Sequence, residues 1–290
     1  MSLSMLSNVF TGSNQSGAAR LYAVGSSQRY SRASFSDLIN VNLYRNLSSA
    51  TVFASSRSTP TQIFFDNTFF GTPTTNYTGP FMQITNDSNS ALDVNFSDHG
   101  FNNRSASMLL VTPRSAGFEF RFSMRDLFLD QWNTILDAQL SGSRASRNGD
   151  PVMTWEMWPT SIPGLSSNLT YLKIHQRLDI SIPWWPDYDA SLTYHILLSL
   201  NGSGTLQGSV ASSSFWVESG TKQGRIEREL GPQVTAGVTA LNTELANQLN
   251  AYSAFPFSDI YLLPGNQTTA PSTGVITGDT SDDVTIVVVL

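Results

Sequence analysis

Along the chain, hydrophobic positions alternate far more often than they recur at helical spacing. In residues 118–124, Phe118, Phe120 and Phe122 share one face at period two, which predicts a half-buried strand. Residues 169–182 read as a long strand, with Leu178, Ile180 and Ile182 alternating before Pro183, Trp184, Trp185 and Pro186 break it. Residues 191–200 place Leu192, Tyr194, Ile196, Leu198 and Leu200 on one face, Asn201-Gly202-Ser203-Gly204 supplies a hairpin turn, and the chain returns over 205–217. Shorter strands are predicted at 40–44, 50–54 and 259–263, and a strongly apolar one at 283–290. Helical spacing occurs twice. Residues 125–140 carry Leu127, Phe128, Trp132, Ile135 and Leu136 on one face. Residues 222–252 carry Ile226, Leu230, Val234, Val238, Leu241, Leu245 and Leu249, with Pro232 as a kink or a start.

The fold class that follows is mainly β, a β-sandwich or Greek key, joined to a C-terminal α+β part with long antiparallel strands and one long amphipathic helix. Residues 1–35 are polar and Ser-rich and read as a flexible arm. A first domain is assigned to 36–115 and a second to 116–290, with the boundary at the Pro-, Ser- and Gly-bearing stretch 112–117. Residues 266–281 read as a loop. The segment 283–290 would be an aggregation-prone edge if unpaired, so it is expected to pair inside the fold or across a homo-oligomer interface.

Composition narrows the function classes. Apolar residues make up 40%, enough for a core, whereas charged residues are only 13%, so the polar surface must be built from Ser, Thr, Asn and Gly. The net charge is −6 and only Lys173 and Lys222 are lysine, so no basic patch for nucleic acid exists. Cysteine is absent, which removes disulfides and thiol chemistry. No apolar run reaches the length of a membrane-spanning helix. The first 15 residues lack a basic segment followed by an apolar core, so no signal peptide is expected, and the chain reads as a soluble extracellular or cytosolic protein.

Two pieces about thirty residues apart are more specific. Phe64, Phe69 and Gly71 form an aromatic-x4-aromatic-x-Gly pattern around the turn formers Asp66 and Asn67. Asn102, Asn103 and Ser107 stand in a loop before the apolar strand 108–111. In this order and separation, residues 62–111 resemble a βγ-crystallin Greek key. The resemblance implies a loop that can hold calcium through Asn102, Asn103, Arg104 and Ser107. Ala106 stands where that family has a side-chain ligand, so any calcium binding is expected to be weak. The order of elements after residue 116, strands then a long helix then strands, is also similar to lipid-binding cradle domains of the tubular kind.

Catalytic signatures are missing. There is no Gly-x-Ser-x-Gly, no His-Glu-x-x-His and no phosphate-binding loop. His175 and His195 fall on neighbouring predicted strands, where a metal with Asp179 or Asp189 is less expected than two satisfied strand histidines. The tryptophans are more suggestive. Trp155 and Trp158 lie in a Met- and Pro-rich stretch, and Trp184 and Trp185 sit at a strand end between prolines. Such rings stack on sugars or settle at a membrane interface, or else plug the end of a sheet. The sequence therefore reads as a non-enzymatic binding protein for a glycan or lipid surface, with these four tryptophans as contacts. The alternatives are a pore-forming or defence toxin using the hairpin at 203–219, and a hydrolase without a recognisable motif.

Overall fold

A computed structural model describes the chain except residues 1–2, 26–29, 34, 55–60, 67, 70–71, 74–76, 112–116, 160–161, 185–186 and 270–272. Strands take 45% of the residues and helices 21%, so the protein is mainly β. It divides into two compact units. One comprises Met1–Arg121, Tyr261–Ser281 and Val287–Leu290, and the other Phe122–Ile260 and Asp282–Ile286. Both are discontinuous in sequence, so the single boundary expected near residue 115 is corrected.

The first half of the chain contributes β1 (Leu3–Gly12), β2 (Ser16–Gly25), β3 (Tyr30–Ala33), the short helix α1 (Phe35–Asn40), β4 (Ser49–Val52), β5 (Thr61–Phe65), β6 (Thr68–Phe69), β7 (Thr72–Pro73), β8 (Pro80–Thr85), β9 (Leu92–Asn95) and β10 (Ser107–Val111). The second half adds β11 (Glu119–Ser123), α2 (Met124–Leu140), β12 (Ala145–Arg147), β13 (Val152–Met157), β14 (Thr170–Ile180), β15 (Tyr188–Leu200), β16 (Leu206–Val217), α3 (Gln223–Asn250), β17 (Asp259–Pro264), β18 (Gly274–Asp279) and β19 (Val284–Val289).

The first unit is a sandwich of a four-stranded sheet, β2–β1–β4–β9, and a five-stranded sheet, β18–β8–β5–β10–β3. Its core joins Val9, Val24, Val52, Phe64, Met82, Ile84, Phe96 and Leu110. Phe64 meets Phe96 edge-on at 4.7 Å between ring centres. The expected flexible arm is therefore corrected: β1, β2 and β3 lie in the two sheets, and Val9, Val24 and Ala33 are buried. Their alternation is real but is carried by small and polar residues such as Ser7, which is itself buried. The loop expected at 266–281 contains β18, antiparallel to β8. The strand expected at 40–44 is the end of α1 and a turn. The β6–β7 pair lies in the expected aromatic hairpin, but Gly71 and the Phe69 side chain fall outside the described residues.

The second unit is a sheet in the order β12–β14–β15–β16, with β13 also pairing β14. Helices α2 and α3 cover one face. Ser123 caps α2, its hydroxyl accepting from the Asp126 N–H at 3.0 Å. The β15–β16 turn is sealed by Asn201, whose Oδ1 accepts from Ser203 N–H at 3.0 Å and Thr205 N–H at 2.9 Å. Helix α3 lays Ile226, Leu230, Leu241, Leu245 and Leu249 onto the sheet, continuing through Pro232. The space between α2, α3 and the sheet is filled. The cavity bounded by Trp132, Leu136, Leu192, Tyr194 and Val234 has about 10 Å³, room for one water and not a lipid. The lipid-cradle expectation is corrected on that ground.

A third sheet runs β11–β19–β17. The C-terminal strand is its middle member, so both of its edges are paired within the chain, the first of the two arrangements expected for it. Among the described residues, no helix is long and apolar enough to cross a membrane.

Candidate binding surface on the outer face of the long sheet

The face of the second unit's sheet turned away from the helices is organised by register. Residues directly opposite in antiparallel strands share a face. One row reads Thr154, Lys173, His195, Ser212 across β13, β14, β15 and β16. The next reads Val152, His175, Thr193, Ser214. A third reads Arg177, Ser191, Trp216. Beyond it, Asp179 stands opposite Asp189. The opposite face, through Met153, Trp155, Ile174, Leu178, Leu192 and Tyr194, is core.

One end of this outer face is roofed. Within the connection from β13 to β14, the Ser166 N–H donates to the Tyr171 hydroxyl at 2.8 Å, and the Ser212 hydroxyl donates to the Pro163 carbonyl at 3.4 Å. Trp158 anchors the base of this connection, its N–H donating to the Leu169 carbonyl at 3.1 Å. Nearby, Lys173 Nζ donates to Glu156 Oε2 at 3.1 Å. His195 is only 4% exposed and its Nε2 has no hydrogen-bond partner among the described residues. Burial lowers its pKa, Lys173 lowers it further, and Glu156 opposes both. His175, bonded through Nδ1 to the Thr193 hydroxyl at 2.9 Å, is also lowered, first by burial and then by Lys173 and Arg177.

These shifts set a pH dependence. Both histidines protonate less readily folded than at their ordinary value of 6.5. Their contribution to stability is therefore complete above that value and is lost as the pH falls through it toward the lowered folded values. The thermal midpoint should drop between about pH 7.5 and 5. His195→Gln should flatten that drop, and an unchanged slope in the variant would refute the assignment.

The other end of the face is open. Trp216 is 56% exposed, flanked by Ser214 and facing Ser191. Arg177 reaches Asp189 at 3.8 Å, and Asn148 Nδ2 donates to Asp179 Oδ1 at 2.8 Å. An indole plane among hydroxyl, guanidinium and carboxylate groups can stack on an apolar ring face while its neighbours hydrogen-bond the rim. Trp184, in the β14–β15 turn at the same end of the sheet, is fully exposed and has φ 70°.

The tryptophans expected as contacts thus separate. Trp184 is presented to solvent, whereas Trp155 is 1% exposed on the core face, which corrects its assignment as a ligand contact. Trp158 is half-buried at the base of the β13–β14 connection, and Trp185 lies outside the described residues. Trp216 was missed, although Ser212, Ser214 and Trp216 alternate with the helix-facing Phe215 and Val217. A bulge at Ala211 between two registers shifts the phase of β16 and hides that alternation from a reading that starts at Leu206.

Of the residues expected to bind calcium, Asn103 and Arg104 are engaged in holding a turn and Ser107 begins β10. The Asn103 N–H donates to the Leu47 carbonyl, and Asn103 Oδ1 accepts from the Ser48 hydroxyl at 3.4 Å. Arg104 Nε donates to Asp66 Oδ2 at 2.8 Å, and Arg45 lies 3.9 Å from the same carboxylate. The Ser107 hydroxyl accepts from the Tyr77 N–H at 2.9 Å, while Asn102 is exposed. Among the described residues, no group of three or more His, Asp or Glu side chains is placed to hold a metal.

No family model matches this chain, and no curated protein matches it.

Proposed function

We propose that the protein is a non-enzymatic binding protein for a glycan, and that the open end of the outer sheet face is its contact surface. The observation that carries this reading is Trp216, a large exposed indole in a polar row with Ser191 and Arg177. Sugars are recognised by aromatic stacking on their C–H faces and hydrogen bonds to their hydroxyls, and this surface supplies both. A glycan array should give hits with the wild-type protein that Trp216→Ala loses by about tenfold or more, about 1.4 kcal/mol of binding. Hits that survive the substitution unchanged would remove this surface from the account.

Trp184 supports a second reading, a lipid surface, because a fully exposed indole on a turn suits a membrane interface. That reading expects co-sedimentation with vesicles lost in Trp184→Ala. The pore-forming alternative has less support, since β16 packs beneath α3 through Gly208 against Leu245 and Leu249.

A further inference from the structure

Strand β16 is the outermost strand of its sheet. An antiparallel edge strand turns every second residue's backbone groups away from its neighbour. The Asn201 N–H donates to the Thr205 carbonyl at 3.0 Å, so residue 205 faces β15. The backbone groups of Leu206, Gly208 and Val210 therefore face outward. The Val210 N–H confirms the phase: it donates to Oδ1 of Asn242 on α3, at 2.8 Å. Leu206 and Gly208 have no such partner among the described residues.

Their outward groups face a groove of about 390 Å³ between β16 and the end of α3. Leu206, Gln207, Gly208 and Ser209 form one wall, and Ala246, Leu249, Asn250 and Ser253 are among the residues of the other. At the turn end, the Phe257 N–H donates to the Gly204 carbonyl at 2.9 Å and bounds the groove. At the other end, the Asn242 amide already occupies the edge. Gly208 keeps the helix close, since a Cβ there would lie 2.9 Å from Leu249 Cδ1.

We propose that this groove takes a short extended peptide from another polypeptide, added to β16 as a further antiparallel strand, so that its C-terminal end meets the end of α3. A peptide backbone offers donors and acceptors at the same two-residue spacing as the free groups. Asn242 shows the chemistry in place, because its side-chain amide oxygen accepts from this edge as a peptide carbonyl would. The charge on the peptide also follows. No lining residue is charged, the last turn of α3 carries no basic residue, and a helix C-terminus is electronegative. The whole chain carries −6. The occupant is thus uncharged along its strand, with a cation where it meets the end of α3. This site is independent of the outer-face glycan surface.

The test is amide hydrogen exchange of the full chain with synthetic pentapeptides at millimolar concentration. The first is Thr-Val-Thr-Val-Lys, the second carries Glu in place of Lys, and the third is the first N-methylated at alternate residues. The lysine peptide is expected to slow exchange at Leu206 and Gly208 by fivefold or more. The glutamate peptide should do so less, and the N-methylated peptide not at all. Ala246→Trp, which fills the groove from an exposed helix position, should abolish the effect while leaving the melting temperature unchanged. No protection by the lysine peptide, equal protection by the N-methylated one, or protection that appears without peptide as the chain self-associates would each overturn the proposal.

Discussion

Trp155→Ala is expected to destabilise the second unit by about 3–5 kcal/mol, the usual cost of truncating a large buried aromatic. The side chain is 1% exposed and stands on the helix-covered face, opposite Leu172 and next along the strand-face from Met153 and Met157. Alanine leaves a cavity that α2, α3 and the sheet cannot close, because every neighbouring position is already packed. At about 2–4 °C per kcal/mol for a unit of this size, the midpoint should fall by roughly 6–20 °C. Trp216→Ala is expected to melt within a degree or two of wild type, since a half-exposed ring loses little packing. Calorimetry on the two variants separates them, and a Trp155→Ala protein with an unchanged midpoint would mean that the ring is not core.

Asp283→Ala should cost about 3 kcal/mol. Its carboxylate is 3% exposed and accepts from the Ser123 hydroxyl, from the Arg125 N–H at 3.1 Å and from the Val284 N–H at 2.7 Å. Ser123 is the cap of α2 and Arg125 lies in its first turn, so the charge also sits where the helix is electropositive. Alanine strands three donors in a buried place. Asp283→Asn keeps an acceptor and should lose clearly less. Urea unfolding of the pair checks this, and equal losses for Ala and Asn would mean that the hydrogen bonds contribute nothing beyond the charge.

The sequence was legible where one period ran long enough to be counted. Helix α3 and the strands β15 and β16 were found within a few residues because their apolar stripes extend over several turns or pairs. Short elements failed. Helix α1 has six residues, less than two turns, too few for a helical stripe to be counted. The strands β1 and β2 failed because their buried positions include serine, which carries no hydrophobic signal: Ser7 is buried as fully as Val9. The discontinuity of the units had no local trace at all. It depends on β18 pairing with β8 and on β19 entering between β11 and β17, contacts set by the whole chain.

The candidate site was legible as chemistry but not as place. Tryptophan was the right residue type, yet Trp155 and Trp216 each sit in an alternating strand, and nothing within a strand says which face the helices will cover. The register decided it: Trp155 shares a face with Leu172, and Trp216 with Ser191 and Arg177. Trp184 could be placed from sequence because it lies in a turn, where exposure follows from the prolines around it.

The most direct measurement of the proposed role is calorimetric titration of the best array glycan into wild-type protein and into Trp216→Ala, with both melting curves recorded. The account predicts binding by the wild type, a loss of about tenfold or more in the variant, and matching melting curves. Equal affinity in the two proteins would contradict it.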